Sequence, residues 1–234
     1  MTTPHGSLDG HPRQEEPITI TPSMLAAPPK RGPIDFERGM RLMPPLILFL
    51  ILSNVVVFGW EIGTGALLSE KSIIAAGALM RKSVLAGEAW RLFTAMFLHG
   101  GIDHLVGNMV VLYIVGIACE HALGAAKAAV VYVMSGLGGS LLSMAMSPGP
   151  SVGASGAIFG VATAVVLILA RYRREFHVRD ARIGVVLGIW AAYQLLIGFA
   201  LPFVDNFGHL GGIAGGALTA MFMRPRLLQR GAAS

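Results

Sequence analysis

"SVGASGAIFG" occupies residues 151–160 and joins a glycine-rich turn to an apolar run that ends at Ala170. The turn contains Ser155. The elbow of a soluble hydrolase has the pattern Gly-x-Ser-x-Gly, but Ala157 stands two residues after this serine, so that pattern fails. The serine lies at the mouth of what is predicted to be a membrane helix, and it needs another explanation.

The composition predicts a membrane protein. The chain has 234 residues, of which 54% are hydrophobic and 13% charged, whereas soluble domains are about 25% charged. The single cysteine, Cys119, excludes an intramolecular disulfide framework. Residues 1–42 are polar and contain seven prolines, so a disordered cytoplasmic tail is predicted there. The first long apolar segment begins at Met43 and is expected to act as an uncleaved anchor.

Six stretches are predicted to be membrane-spanning helices, because a span needs about 20 mostly apolar residues. They are residues 43–60, 101–120, 125–146, 155–170, 183–203 and 206–223. The second is the least hydrophobic, because His104 and Asn108 interrupt it. The predicted fold is therefore an all-α membrane protein. Its six-span domain covers residues 43–224, and a short cytoplasmic C-terminal tail covers residues 225–234.

The distribution of Lys and Arg predicts the orientation, because cytoplasmic loops are enriched in these residues. With the amino terminus inside, the inner segments hold 14 of the 18 basic residues, and the other four lie in one outer loop. Both termini are therefore predicted to be cytoplasmic, in a multi-pass protein of a bacterial plasma membrane. The net charge of +5 then faces anionic lipid, and no nucleic-acid partner is needed.

The long outer loop between the first two spans, residues 61–100, has an unusual composition. It contains apolar stretches such as SIIAAGALM at 72–80 and AWRLFTAMFL at 89–98. A solvated linker would be more polar, so short helices in or near the membrane interface are predicted. A lid of purely structural value and a direct catalytic role both remain open for this loop.

Four polar residues lie inside the predicted spans, where polar groups are costly and usually functional. They are His104, Asn108, Ser155 and His209. Counted from the inner ends of their spans at about 1.5 Å per residue, all four fall roughly 6–12 Å below the outer boundary of the hydrocarbon core. Three helices therefore bring four polar groups to a similar depth, although the count does not give the direction of any side chain.

Small residues predict a close approach of two of these helices. His209, Gly212 and Gly216 share one helical face, and Gly156 and Gly160 form a small-xxx-small pair. Tight packing alone is the commoner meaning of such a pair. Here the same packing would carry Ser155 toward His209.

A serine beside an imidazole permits nucleophilic catalysis, since the imidazole accepts the hydroxyl proton and later passes it to the leaving group. Candidate oxyanion donors are the Ser155 N–H, the Asn108 amide and His104. Gly153 and Gly156 give the turn its conformational freedom. Asp205, one turn before His209, could reach the imidazole if the helix begins early enough. It is interpreted as a boundary residue, so the working model is a Ser–His dyad.

These motifs in their order resemble the rhomboid intramembrane serine proteases. The match begins at the Trp90–Arg91 pair and continues through HGGIDHLVGN at 99–108, GASG at 153–156 and GHLGGIAGG at 208–216. With the six spans, the resemblance covers about residues 43–224.

The resemblance implies roles for individual residues. It implies that Ser155 is the nucleophile, that His209 is the base, and that His104 and Asn108 support the oxyanion or the site. Around them it implies a place for Gly153 in the nucleophile turn, a position near the site for His99, and an aromatic contact of Phe159 with the catalytic histidine. It implies structural roles for Trp90, Arg91 and Glu120. It also implies cleavage of single-span or multi-span membrane proteins within or beside a span, in the lipid bilayer and without a cofactor or metal. The oligomeric state stays open.

Three other classes of function are alternatives to a serine protease. His99, His104 and His209 offer three imidazoles to a metal, but the chain has no HExxH motif. A non-catalytic member of the rhomboid-like fold usually lacks the serine or the histidine, and both are present here. A transporter would be expected to show internal repeats, and none is found.

Overall fold

The computed structural model describes residues 32–180, 182–200 and 204–230, and it is mostly helical. In chain order the elements are β1 (Ile34–Asp35), α1 (Pro45–Thr64), a 3₁₀ turn (Ala66–Leu68), α2 (Glu70–Ala76), α3 (Arg81–Leu85), α4 (Arg91–Thr94), α5 (Ile102–Leu123), α6 (Ala125–Met146), α7 (Ser155–Arg171), β2 (Phe176–His177), α8 (Arg182–Ala200), α9 (Asn206–Met221) and α10 (Arg226–Arg230). Helices therefore occupy all six predicted span positions.

Three helices in the described part of the chain are long and apolar enough to cross a membrane, namely α1, α5 and α6. The helices α7 and α8 are apolar but shorter by the same measure. The first predicted span ended at Trp60, whereas α1 continues to Thr64. It ends there because Gly65 adopts a left-handed conformation, with φ of 72°, that stops a helix.

Glycine contacts bring α9 between α6 and α7. A side chain at Gly212 or Gly216 would overlap the backbone of Gly156 or Gly160 on α7. On the other side of α9, a Cβ at Gly215 would stand 2.8 Å from the Met134 carbonyl oxygen of α6. These helices touch backbone to backbone, as small residues permit. The three helices therefore form the centre of the fold. Because the contacts are between backbone atoms, a larger residue at these glycines could not be accommodated by moving a side chain.

The helix α8 is peripheral to this centre. All of its described side chains are exposed or half-buried. Trp190 of α8 stacks on Phe159 of α7 with 5.4 Å between ring centroids. Little apolar surface of α8 is therefore buried against the other described elements.

The end of the predicted tail is structured. The predicted disordered segment was 1–42. Its first 31 residues lie outside the described part of the chain, but β1 at Ile34–Asp35 pairs in parallel with β2. Phe36 is buried and packs edge-on against Phe176. The Asp35 carboxylate forms an ion pair with Arg179, and this guanidinium lowers the pKa of Asp35. The ordered chain therefore begins before residue 42, because Phe36 finds an apolar site.

The carboxylate of Glu120 caps the start of α1 from the far end of α5. It is buried and accepts a hydrogen bond from the Ile47 N–H at 3.1 Å and a longer one from the Leu46 N–H at 3.4 Å. The first N–H groups of a helix have no partner inside the helix, and they carry partial positive charge. Glu120 therefore has the structural position that the resemblance implied.

Glu120→Ala is expected to destabilise the protein by about 1–3 kcal/mol, because two N–H groups at a buried helix start lose their acceptor. Glu120→Gln retains one acceptor oxygen and should lose less. Thermal unfolding in detergent measures both variants. Glu175→Ala, at an exposed site, is the matched control. A loss no larger in Glu120→Ala than in Glu175→Ala would contradict the capping role.

The loop between α1 and α5 contains the short helices α2, α3 and α4. Arg91 organises it: its guanidinium donates to the carbonyl oxygen of Ala78 at 3.0 Å and pairs with Glu88. The same guanidinium lies over the Trp90 ring, 4.6 Å from its centroid. Trp90 and Arg91 therefore act within the loop and hold its turns together.

Candidate active site

The turn before Ser155 is held from two sides. Gly153 adopts a φ of 126°, which favours glycine, and its N–H donates to the Ala95 carbonyl oxygen at 2.9 Å. Ser151 and Leu79 exchange two backbone hydrogen bonds of 2.9 Å. The helix α7 then begins at Ser155. The serine therefore stands at a helix start on a turn that the outer loop fixes.

Ser155 and His209 are in contact. The Ser155 Oγ atom lies 3.0 Å from His209 Nε2. His209 is buried in the first turn of α9, and Ser155 is half-buried. The glycine contact between Gly212 and Gly156 lies within one turn of both residues. The close approach of the two helices thus brings together the two residues that the sequence pattern singled out.

Aromatic rings hold the imidazole on its other side. The Phe159 ring stacks on His209 with 4.4 Å between centroids and 23° between planes. Trp190 also stacks on the Phe159 ring, so Phe159 of α7 links His209 of α9 to Trp190 of α8. Stacking restrains the ring plane of His209. Trp190 was missed from the sequence, since a tryptophan in an apolar span has no distinguishing pattern.

His104 and Asn108 lie beside the turn that carries Ser155. A Cβ on Gly153 would stand 2.7 Å from His104 Cε1 and 3.6 Å from Asn108 Nδ2. Asn108 is buried, and its Nδ2 atom has no hydrogen-bond partner among the described residues. A buried amide donor without a partner is uncommon in a folded protein. The Asn108 amide is therefore available to a ligand at the Ser155 turn.

His99 is a buried neighbour of His104. Its ring meets His104 edge-on, with centroids 5.1 Å apart, and its backbone N–H donates to the Glu61 carboxylate at 3.1 Å. Burial, with a smaller contribution from His104, lowers the pKa of His99 to about 4. A neutral His99 therefore packs against His104. Glu61 was missed because one acid at the end of an apolar run resembles a boundary residue.

Asp205 caps α9 and has no observed hydrogen bond to the His209 imidazole. Its carboxylate accepts hydrogen bonds from the Gly208 N–H, Ser147 and Ser151. Burial raises the pKa of Asp205, but hydrogen bonds from the surrounding hydroxyls and the Gly208 N–H outweigh it and lower that pKa below its usual range. The Nδ1 atom of His209 has no hydrogen-bond partner in the described part of the chain. The boundary interpretation of Asp205 therefore agrees with its contacts.

Residues that bind metals do not converge in the described ranges. No group of three His, Cys, Asp or Glu side chains there is arranged to hold a metal ion. His99 and His104 are neighbours, whereas His209 contacts Ser155. The geometry is thus that of a serine–imidazole pair with a nearby amide donor.

Comparisons with known proteins identify the family of this chain. A family model described as Rhomboid domain matches residues 86–226. Rhomboid protease GluP of Bacillus subtilis (strain 168) is 38% identical over 173 residues, which are 74% of this chain and 33% of that protein. RHOMBOID-like protein 1 of Arabidopsis thaliana is 42% identical over 132 residues, 56% of this chain and 33% of that protein. Inactive RHOMBOID-like protein 8 of Arabidopsis thaliana is 36% identical over 126 residues, 53% of this chain and 35% of that protein.

The apolar helices and these matches together define an integral membrane protein of the helical class. The matched domain covers more than half of the sequence, and the chain belongs to the rhomboid family. The resemblance drawn from the motifs is thereby confirmed. The chain spans about a third of the length of the three relatives named above.

Proposed function

We propose that the protein is an intramembrane serine endopeptidase in which Ser155 is the nucleophile and His209 the general base. One observation carries the proposal: Ser155 Oγ and His209 Nε2 lie 3.0 Å apart, within hydrogen-bonding distance. A relative at 38% identity bears the name rhomboid protease, which supports the same activity.

The proposed reaction proceeds through an acyl-enzyme. Ser155 Oγ attacks the carbonyl carbon of the scissile peptide bond while its proton passes to His209 Nε2. The tetrahedral intermediate collapses, and the amine leaves with the proton from His209. Water then attacks the ester, again with His209 as base, and releases Ser155. A cavity of about 30 Å³ lined by Ser155, Ser143 and Asp205 offers space for a water molecule.

The developing oxyanion needs donors that are oriented before the reaction begins. The unpartnered Nδ2 of Asn108 supports a donor role, and His104 and the N–H of Ser155 at the start of α7 are the other candidates. Phe159 restrains the base, Gly156 and Gly212 allow the close backbone approach, and Gly153 leaves room for the His104 ring. His99 supports His104 from behind.

Asn108→Ala is expected to lower kcat roughly 10²-fold, because one oxyanion donor of several is lost. Steady-state cleavage in detergent or liposomes measures the effect. Val110→Ala on the same helix is a matched truncation at an exposed position and should leave kcat unchanged. An unchanged kcat in Asn108→Ala would exclude its amide as a donor.

We place the enzyme in a membrane with six spans, α1 and α5–α9, and with both termini in the cytoplasm. The inner excess of Lys and Arg supports this orientation. As the location we propose the plasma membrane of a bacterium. The outer loop then lies at the outer interface. Ser155 and His209 open to the extracytoplasmic side, and the substrates are single-span or multi-span membrane proteins.

A non-catalytic role is the second candidate, since one relative is named inactive. The presence of both Ser155 and His209, in contact, favours the enzyme. The test reconstitutes wild type and Ser155→Ala in liposomes, each with a single-span reporter that carries a small-residue site near its outer end. Gel analysis and mass spectrometry measure and locate the cut. Cleavage near the outer membrane region by wild type alone is expected.

Other outcomes of this test are equally informative. Cleavage by both proteins would identify another nucleophile or a contaminant and contradict the role of Ser155. If neither protein cleaves the reporter, labelling with a serine-reactive phosphonate decides. Labelled Ser155 supports an enzyme with a stricter substrate demand, and unlabelled Ser155 supports a binding protein.

A further inference from the structure

One carboxylate joins the two chain segments that carry Ser155 and His209. Oδ1 of Asp205 accepts hydrogen bonds from the Ser147 hydroxyl at 2.8 Å and the Gly208 N–H at 2.9 Å. Oδ2 accepts one from the Ser151 hydroxyl at 2.6 Å. Ser147 and Ser151 belong to the loop between α6 and α7, whereas Gly208 belongs to α9.

We infer that Asp205 is a positioning residue, whose carboxylate clamps the loop before Ser155 to the start of α9 and so sets the distance between Ser155 and His209. The inference rests on the proposed function. Asp205 lies four residues before His209, and Ser151 lies four residues before Ser155. The clamp is therefore placed equally close along the chain to both members of the pair.

Helix capping alone does not explain this arrangement. A cap needs one oxygen to accept from the second or third N–H of the helix, and Ser, Thr or Asn provide it as well as Asp does. Asp205 uses one bond for that purpose and two more for hydroxyls of another segment. Bonds to a carboxylate are stronger than those between neutral groups, so the link resists separation of the two segments.

The clamp complements the glycine contacts in the same region. Gly208 and Gly139 touch backbone to backbone, since a Cβ on Gly139 would stand 2.7 Å from the Gly208 carbonyl oxygen. That contact limits how closely α9 and α6 approach, but van der Waals contact has little directional preference. Directional bonds from Ser147 and Ser151 add a fixed register between the loop and α9.

A direct catalytic role for Asp205 is less compatible with the contacts. As third member of a triad, it would accept a hydrogen bond from His209 Nδ1. That atom has no partner among the described residues, and both oxygens of Asp205 are engaged elsewhere. Asp205 therefore acts through the loop and the helix start.

The test uses the full chain in detergent micelles and compares Asp205→Ser, Ser151→Ala and the double variant. Asp205→Ser retains a capping oxygen for the Gly208 N–H but is too short to reach both loop hydroxyls. The labelling rate of Ser155 by a fluorophosphonate reports the geometry of the pair without a protein substrate. The kcat and KM for a single-span reporter and the thermal unfolding midpoint are measured in parallel. Ser53→Ala, at a half-buried site on α1 where the hydroxyl donates to the Phe49 carbonyl oxygen of the same helix, is the control.

Asp205→Ser is expected to lower both kcat and the labelling rate by about tenfold to a hundredfold, since small displacements of reacting groups have effects of this size. KM should stay within about twofold, because the clamp does not touch substrate. Ser151→Ala should show a smaller loss in the same two quantities. The double variant should match Asp205→Ser, because the two residues share one interaction. Ser53→Ala should behave as wild type.

Three results would overturn the inference. The first is an unchanged labelling rate and kcat in both single variants. The second is a loss that only follows the folded fraction, which would indicate a purely structural role. The third is a fall of about 10⁴-fold in Asp205→Ser with none in Ser151→Ala, which would assign a triad role. Wild type that neither cleaves nor labels at Ser155 would instead contradict the proposed function.

Discussion

His209→Ala is expected to reduce kcat at least 10³-fold while the protein remains folded. The imidazole is the only group seen within hydrogen-bonding distance of Ser155 Oγ in the described part of the chain. Without it, no neighbouring base accepts the hydroxyl proton when Ser155 attacks. Cleavage of a reconstituted reporter measures kcat. The unfolding midpoint tests whether the fold survives, since the lost ring also packs on Phe159.

The two members of the pair should not contribute independently. Residues that act as one unit lose nearly all activity on the first substitution, so Ser155→Ala with His209→Ala should be no slower than either alone. His177→Ala, at an exposed position of β2, is the matched control and should retain full activity. More than a tenth of wild-type kcat in His209→Ala would contradict the dyad.

Gly212→Ala is expected to damage both stability and activity, although one methyl group is the whole change. The added Cβ would overlap the Gly156 carbonyl oxygen, and backbone cannot move aside as a flexible side chain can. Overpacking of this kind costs about 1–3 kcal/mol. Activity should fall by about 10²-fold or more, because Gly156 follows Ser155 directly and a shift near 1 Å is enough.

The sign of the change in stability distinguishes an effect of packing from an effect of helix propensity. In an unconstrained helix, alanine is more favourable than glycine by about 1 kcal/mol. Gly59→Ala on α1, where no atom lies within 4 Å of the new Cβ, is therefore expected to be neutral or stabilising. Thermal unfolding and reporter cleavage of both variants make the comparison. A Gly212→Ala protein as stable and active as Gly59→Ala would show that α7 and α9 can move apart freely.

The helical parts of the fold follow from the sequence because their signals are local. Apolar runs predicted helices at six positions, and the glycines on α7 and α9 predicted their close approach. The order of the motifs then identified the family. The helix ends were less accurate, since the left-handed Gly65 sets the end of α1 and an apolar count does not register it.

Local sequence patterns do not predict contacts between segments that are distant along the chain. Ser147 and Ser151 look like ordinary loop residues until Asp205, more than 50 residues later, is placed beside them. Phe36 lies in a proline-rich segment, and its ring partners Phe176 and His121, both distant along the chain, give it a buried site. A two-residue strand such as β1 has too few residues for an alternating pattern.

The position of α9 between α6 and α7 also sets an order of events during biosynthesis. His209 follows Ser155 by 54 residues along the chain. At about 5–20 residues per second, the ribosome adds that length in roughly 3–11 s. During this interval α6 and α7 exist without the helix that packs against both of them. The nucleophile is therefore made well before its base, and the pair is completed only when α9 docks on two helices already synthesised.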